Sequence, residues 1–188
     1  AAIIDHINRT QPKHILTLED PIEYRHTNHR SLVTQREVER HTPSFAQGLK
    51  AALREDPDVI LVGEMRDAET MSLAISAAAT GQLVFGTLHT MSAAQTVDRI
   101  LDSFDGERQT QVRLMLAESL KGVLAQRLIR RANGTGRVLA LEILAGNTAV
   151  ASLIRDKKTF QLPSVIQTGR REGMQSMDDA ILALVRSG

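Results

Sequence analysis

Four apolar residues in a row, Val59–Val62, stand between the acidic turn Glu55-Asp56-Pro57-Asp58 and Gly63. A β-strand turns successive side chains to opposite faces, so an unbroken apolar run needs cover on both sides. Such a strand belongs in the middle of a layered sheet, and its neighbours in sequence supply the layers. HILTL (14–18) reads as a second short buried strand, SLVTQREV (31–38) as an alternating one, and QLVFGTLH (82–89) as another. Between them, residues 44–54 repeat Phe45, Leu49, Ala52 and Leu53 at helical spacing, residues 68–80 form an alanine-rich helix suited to close packing on a sheet, and residues 93–101 are helical. Strands alternating with helices predict an α/β fold with a mostly parallel sheet.

The pattern changes after Asp102. Val112, Met115, Leu116, Leu120, Val123, Leu124 and Leu128 recur at helical spacing over about five turns. Arg127, Arg130 and Arg131 then fall at the end of that helix, where they suit its negative terminus. GRVLALEIL (136–144) is one late strand, and residues 148–188 make two or three short helices. The expected division is an α/β core at 1–102 and a mainly helical subdomain with one late strand at 103–188.

Composition excludes several functions. A net charge of +1 gives no argument for a polyanionic partner, and 3% aromatics with no Trp and a single Tyr leave no base-stacking platform, so nucleic acid is not expected. The absence of cysteine rules out disulfides, iron–sulfur clusters and thiolate zinc sites, and fits a cytoplasmic setting. No apolar run is long enough to insert into a membrane. The opening AAIIDHINRT is no signal peptide; it reads as the middle of a helix, with Ile3, Ile4 and Ile7 on one face and no capping residue before it.

Three strand ends carry polar chemistry: Glu19-Asp20-Pro21-Ile22-Glu23, Gly63-Glu64, and Thr87-Leu88-His89. Ligands of open α/β sheets bind at the carboxyl ends of the strands. If these three strands are neighbours, the groups converge on one crevice, where carboxylates hold Mg²⁺ through water and polarise an attacking water. Blander readings stand beside this one. A single acid after an apolar run is common, Glu19-Asp20-Pro21 is also a turn, and a histidine at a strand end is more often structural. His26 and His29 form an HxxH pair, but on a predicted loop without a helical face to align them. GQLVFGT (81–87) has glycine spacing but no lysine, and it lies along a strand rather than at a strand-to-helix turn, so it is not a phosphate cradle.

Together these residues resemble the secretion-type traffic ATPases, the hexameric motors of type IV pili and type II secretion. LREDPDVILVGEMRDAET (53–70) is similar to their signature nearly residue for residue, LTLEDPIEYRH (16–26) resembles their acidic Asp box, and GQLVFGTLHT (81–90) their His box. Within the family, retraction ATPases of the PilT type fit best. Their C-terminal pattern resembles residues 148–181, and the tetracysteine insertion typical of assembly and export relatives is replaced by a direct passage into RANGTGRVLALEIL.

The resemblance implies a RecA-like P-loop NTPase core, here partial, using ATP and Mg²⁺. It implies that Glu64 is the Walker B glutamate polarising the lytic water, that Glu23 with Asp20 organises Mg²⁺ and water, and that His89 lies near the γ-phosphate and a subunit interface. Arg54 and Arg66 are implied to support the nucleotide or to reach it across an interface. A homohexamer acting on an inner-membrane platform protein at the pilus base, from the cytoplasmic side, is implied as well. One departure stands out: no G-x-x-x-x-G-K-[ST] loop occurs, and in the family that loop immediately precedes the helix that AAIIDHIN resembles. The expectation is a motor portion cut just downstream of its phosphate cradle, inactive alone. The alternatives are a non-catalytic module that binds or regulates a motor ring, and an extension or type II secretion ATPase.

Overall fold

A computed structural model describes residues 1–187. The chain divides into two compact units, Ala1–Leu88 and His89 onward. The division falls ahead of Asp102, so the helix after His89 groups with the second unit.

In the first unit the elements run α1 (Ala2–Thr10), β1 (His14–Glu19), β2 (Leu32–Glu37), α2 (Phe45–Ala52), β3 (Val59–Val62), α3 (Ala68–Ala79) and β4 (Leu83–Gly86). The strands form one four-stranded sheet in the order β2-β1-β3-β4, and every pair is parallel. The double-sided burial expected of Val59–Val62 follows directly. Leu16, Leu18, Ile60 and Val62 face Leu49 and Ala52 of α2 and Ala74 and Ala77 of α3, whereas Ile15 and Val59 face Ile4 and Ile7 of α1. Each fully buried aliphatic side chain contributes about 1.5–3 kcal/mol relative to exposure, and those of Ile15, Leu16, Leu18 and Ile60 are completely sealed. Helix α2 starts on Ser44, whose side chain accepts from Gln47 N–H, and α3 starts on Asp67, which accepts from Thr70 N–H.

The crossover from β1 to β2 is unusual. Parallel neighbours are ordinarily joined through a helix, but residues 20–31 contain none. Asn8 of α1, fully buried, substitutes for helical packing. Its side chain donates to Thr27 O (2.8 Å) and accepts from His29 N–H (3.0 Å), and its own carbonyl accepts from Arg30 and Ser31 N–H.

The second unit holds α4 (Ala93–Asp102), α5 (Gly106–Ser119), β5 (Gly122–Arg130), β6 (Arg137–Ala145), α6 (Thr148–Arg155), α7 (Leu162–Thr168) and α8 (Met177–Ser187). The long helix expected through Leu128 is corrected here. It ends at Ser119, and β5 pairs antiparallel with β6 from Gly122↔Ala145 to Arg130↔Arg137, so this unit has a two-stranded ribbon rather than one late strand. The error has a physical origin. Leu120, Leu124 and Leu128 recur every fourth residue, which suits a helix face and equally one face of a strand. The inward set is the other one, with Ala125 buried and Val123 and Ile129 half-buried, whereas Leu124 and Leu128 are 53% and 63% exposed. Arg127 and Arg130 accordingly lie on a strand, not at a helix terminus. Helix α8 covers the ribbon through Ala140, Met177 and Ala180. Among the described residues no helix is long and apolar enough to cross a membrane.

Candidate functional site

β1, β3 and β4 are neighbours, and they end at nearly the same level: Leu18, one residue before the end of β1, pairs with Val62, the last residue of β3, and Val62 with Gly86, the last of β4. Their carboxyl ends therefore form one edge. At that edge the backbone of β1 and β3 approaches too closely for any side chain. A Cβ on Gly63 would stand 2.9 Å from Leu18 O and 3.2 Å from Glu19 Cα. Gly63 N–H donates to Leu18 O at 2.7 Å, which draws the exit of β3 against β1. On the other side the Thr87 hydroxyl donates to Gly63 O, and Met65 N–H donates to Thr87 O at 3.0 Å. Glu64 is thus carried on a backbone tied to a neighbouring strand end both before and after it.

Its carboxylate pairs with Arg66, Nη2 to Oε2 at 2.6 Å, and the Glu64 side chain is only 19% exposed. The bond to Glu64 holds the Arg66 guanidinium above its ordinary pKa. Arg66 also borders an open cleft of about 280 Å³ with Asp20, Ser44, Phe45 and Asp67. Asp67 itself is committed to α3, its two carboxylate oxygens taking the amide and hydroxyl of Thr70.

The loop after β1 brings a second set of carboxylates. Glu19, half-buried, accepts from the Thr17 hydroxyl (2.6 Å) and from Gln35 Nε2 (2.9 Å). Glu37, two residues beyond Gln35, accepts from Ile22 N–H at 3.0 Å, and that bond is the main reason its carboxyl sits below the ordinary glutamate range. Asp20 and Glu23 are exposed on the loop between these anchors.

Arg54 follows the end of helix α2 and is exposed. His89 is exposed and opens the second unit. The stretch 81–87 is strand β4 with its flanks, in line with its rejection as a phosphate loop.

No group of three or more Asp, Glu, His or Cys side chains suited to a metal occurs among the described residues. Mg²⁺ typically keeps several waters and takes one or two carboxylates together with substrate phosphates, so Glu64 with the loop acids fits a phosphate-borne Mg²⁺ and not a protein cage.

Sequence reasoning named Glu19 only as part of a strand end, without a role of its own, and passed over Gln35 and Asn8. The signal for Glu19 was Thr17, a polar residue inside an apolar run. Alternation puts Thr17 and Glu19 on one face, and its burial is complete because its hydroxyl serves that carboxylate.

Comparison with known proteins covers the whole chain. Residues 1–177 match the family described as type II/IV secretion system protein. A twitching motility protein of Neisseria gonorrhoeae is 58% identical over all 188 residues, which span 50% of that protein. The type IV pilus retraction ATPase PilT of Pseudomonas aeruginosa is 54% identical, again over the full chain and 54% of its own length. A crystal structure of the pilus retraction motor PilT with bound ADP superposes with a TM-score of 0.91 at 50% identity, covering 100% of this chain and 52% of the motor. The chain therefore spans about half the length of the curated relatives it matches.

Proposed function

The chain belongs to the type II/IV secretion system protein family, and on that premise we propose that it is the catalytic-domain portion of an ATP-hydrolysing motor that drives type IV pilus retraction and twitching motility. The observation that carries this reading is the fixed position of Glu64, a mostly buried carboxylate at the carboxyl edge of a parallel sheet, beside Glu19 and the acidic loop. Phosphoryl transfer is catalysed chiefly by positioning and charge neutralisation, and a carboxylate on an immobilised backbone serves the first of these.

In the proposed mechanism Glu64 accepts hydrogen bonds from the attacking water and aligns it, while Arg66 moves from Glu64 to the developing negative charge. Asp20 and Glu23 orient water around the metal; Mg²⁺, when bound with ATP, neutralises phosphate charge. His89 and Arg54 take the roles that the family resemblance implies, His89 near the γ-phosphate and Arg54 at the nucleotide or across a subunit interface. ADP in the pilus retraction motor PilT supports nucleotide as the ligand. The working form is a homohexamer acting on a pilus platform protein at the cytoplasmic face of the inner membrane.

Replacing Glu64→Gln in the full-length motor tests the assignment. Turnover of ATP falls by about 10²-fold or more, with ring assembly by size-exclusion chromatography unchanged. Turnover that survives the substitution removes Glu64 from its role.

A further inference from the structure

We propose that Gln35 is a positioning residue, which sets the acidic loop of this site against the Glu19 carboxylate through its side-chain amide. A glutamine amide offers two N–H donors and a carbonyl acceptor, and Gln35 uses both ends. Nε2 donates to Glu19 Oε1 and to Tyr24 O, each at 2.9 Å, and Oε1 accepts from His26 N–H at 2.8 Å. Its place on β2 makes this possible. Gln35 pairs with Thr17 in the β1–β2 register, and Glu37 pairs with Glu19, so both side chains rise on the face that carries the β1 carboxylate.

The loop runs back along these side chains in the opposite direction to β2. Ile22 N–H meets Glu37, Tyr24 and His26 meet Gln35, and Asn28 Oδ1 accepts from Val33 N–H at 3.0 Å. Glu23 is exposed, but it stands between two residues whose backbones are held. Gln35 thereby links two acids that the chain separates by three residues, one at the strand end and one on the loop. Apolar contact alone would leave the loop backbone unpaired, and a polar group left without a partner costs more than the bond itself contributes.

This inference rests on the hydrolysis reading for its catalytic consequence but not for its geometry, and the test separates the two. In the full-length protein Gln35→Met keeps the side-chain length and removes every bond. Hydrogen exchange followed by mass spectrometry should then speed up about tenfold in peptides covering 20–30, with 14–19 and 59–62 unchanged. ATP turnover should fall about ten- to hundredfold through kcat, with KM for ATP within about threefold. Gln35→Glu retains the acceptor for His26 N–H, cannot donate to Tyr24 O, and sets a like charge against Glu19. It should protect the His26 amide better than Gln35→Met does and still lose turnover.

Unchanged exchange in Gln35→Met overturns the proposal, and so does faster exchange with full turnover, because Gln35 would then only fasten the loop. A wild-type protein without ATP turnover overturns the hydrolysis reading and Gln35's catalytic consequence together, whereas wild-type turnover with unchanged exchange overturns the Gln35 assignment alone.

Discussion

Two glycines close to the same edge offer a sharp contrast. A methyl group on Gly63 would meet backbone, Leu18 O at 2.9 Å and Glu19 Cα at 3.2 Å. Neither atom can rotate away, and the 2.7 Å bond from Gly63 N–H to Leu18 O holds the strands at this spacing. The strand exit must shift, and overpacking of this kind costs about 1–3 kcal/mol; with backbone on both sides the upper half of that range applies. The atoms nearest to a methyl group on Gly86 all belong to the Met65 side chain, Cε at 2.5 Å and Sδ at 2.7 Å. The thioether has three rotatable bonds and swings aside cheaply, and the lower entropy of an unfolded alanine returns about 0.5–1 kcal/mol. Gly63→Ala should therefore lower stability by about 2–3 kcal/mol and Gly86→Ala by less than about 1 kcal/mol. Tyr24 is the single tyrosine of the chain and there is no tryptophan, so intrinsic fluorescence reports the first unit alone during urea or thermal unfolding. The loss appears as a melting temperature about 8–20 °C lower for Gly63→Ala than for wild type. A Gly63→Ala protein as stable as Gly86→Ala would refute the close approach of β1 and β3.

Asn8→Ala removes the side-chain partner of Thr27 O and His29 N–H and empties a fully buried position; the expected loss is about 1–3 kcal/mol, read by the same fluorescence transition. Burial holds the His26 imidazole below its ordinary pKa of 6.5, against the opposing pull of Asp5 and Glu19. The unfolded chain then binds the proton first, so stability of the first unit should decline as pH falls below 6.5 toward the folded value and level off beneath it. Unfolding midpoints measured from about pH 7.5 to about pH 5 should show this slope in the wild type and a weaker one in His26→Gln.

The sheet was legible because its signal is local. Val59–Val62 and HILTL are apolar on both faces, and only a covered parallel sheet accommodates that. The ribbon was misread for an equally local reason, since leucines at every fourth position satisfy both periods and the deciding alternation of Val123, Ala125 and Ile129 is interrupted by Arg127. At the site, the three strand ends were identifiable as strand ends, and strand order made Glu19, Gly63 and Thr87 neighbours. The loop bonding was not readable. Asn8 and Gln35 find partners 19 and 16 residues away, at Thr27 and Glu19, and which polar side chain meets which backbone group depends on strand register rather than on any spacing in the chain. Thr17 was the one trace of it within a strand.

Residues 20–31 look like a surface loop by exposure, with Arg25 and Arg30 both offered to solvent. A protease, however, takes its substrate as an extended strand and must first free the backbone around the cut. Here the amides of Ile22, His26, His29, Arg30 and Ser31 are all bound to Glu37, Gln35 or Asn8. Trypsin should therefore nick the glycine-bearing turn that joins β5 to β6, after Arg130 or Arg131, well before it reaches Arg25 or Arg30. The acidic crossover would survive limited digestion as part of the resistant core, and an affinity tag or reporter inserted there would be tolerated far less than one placed in the turn at 132–136.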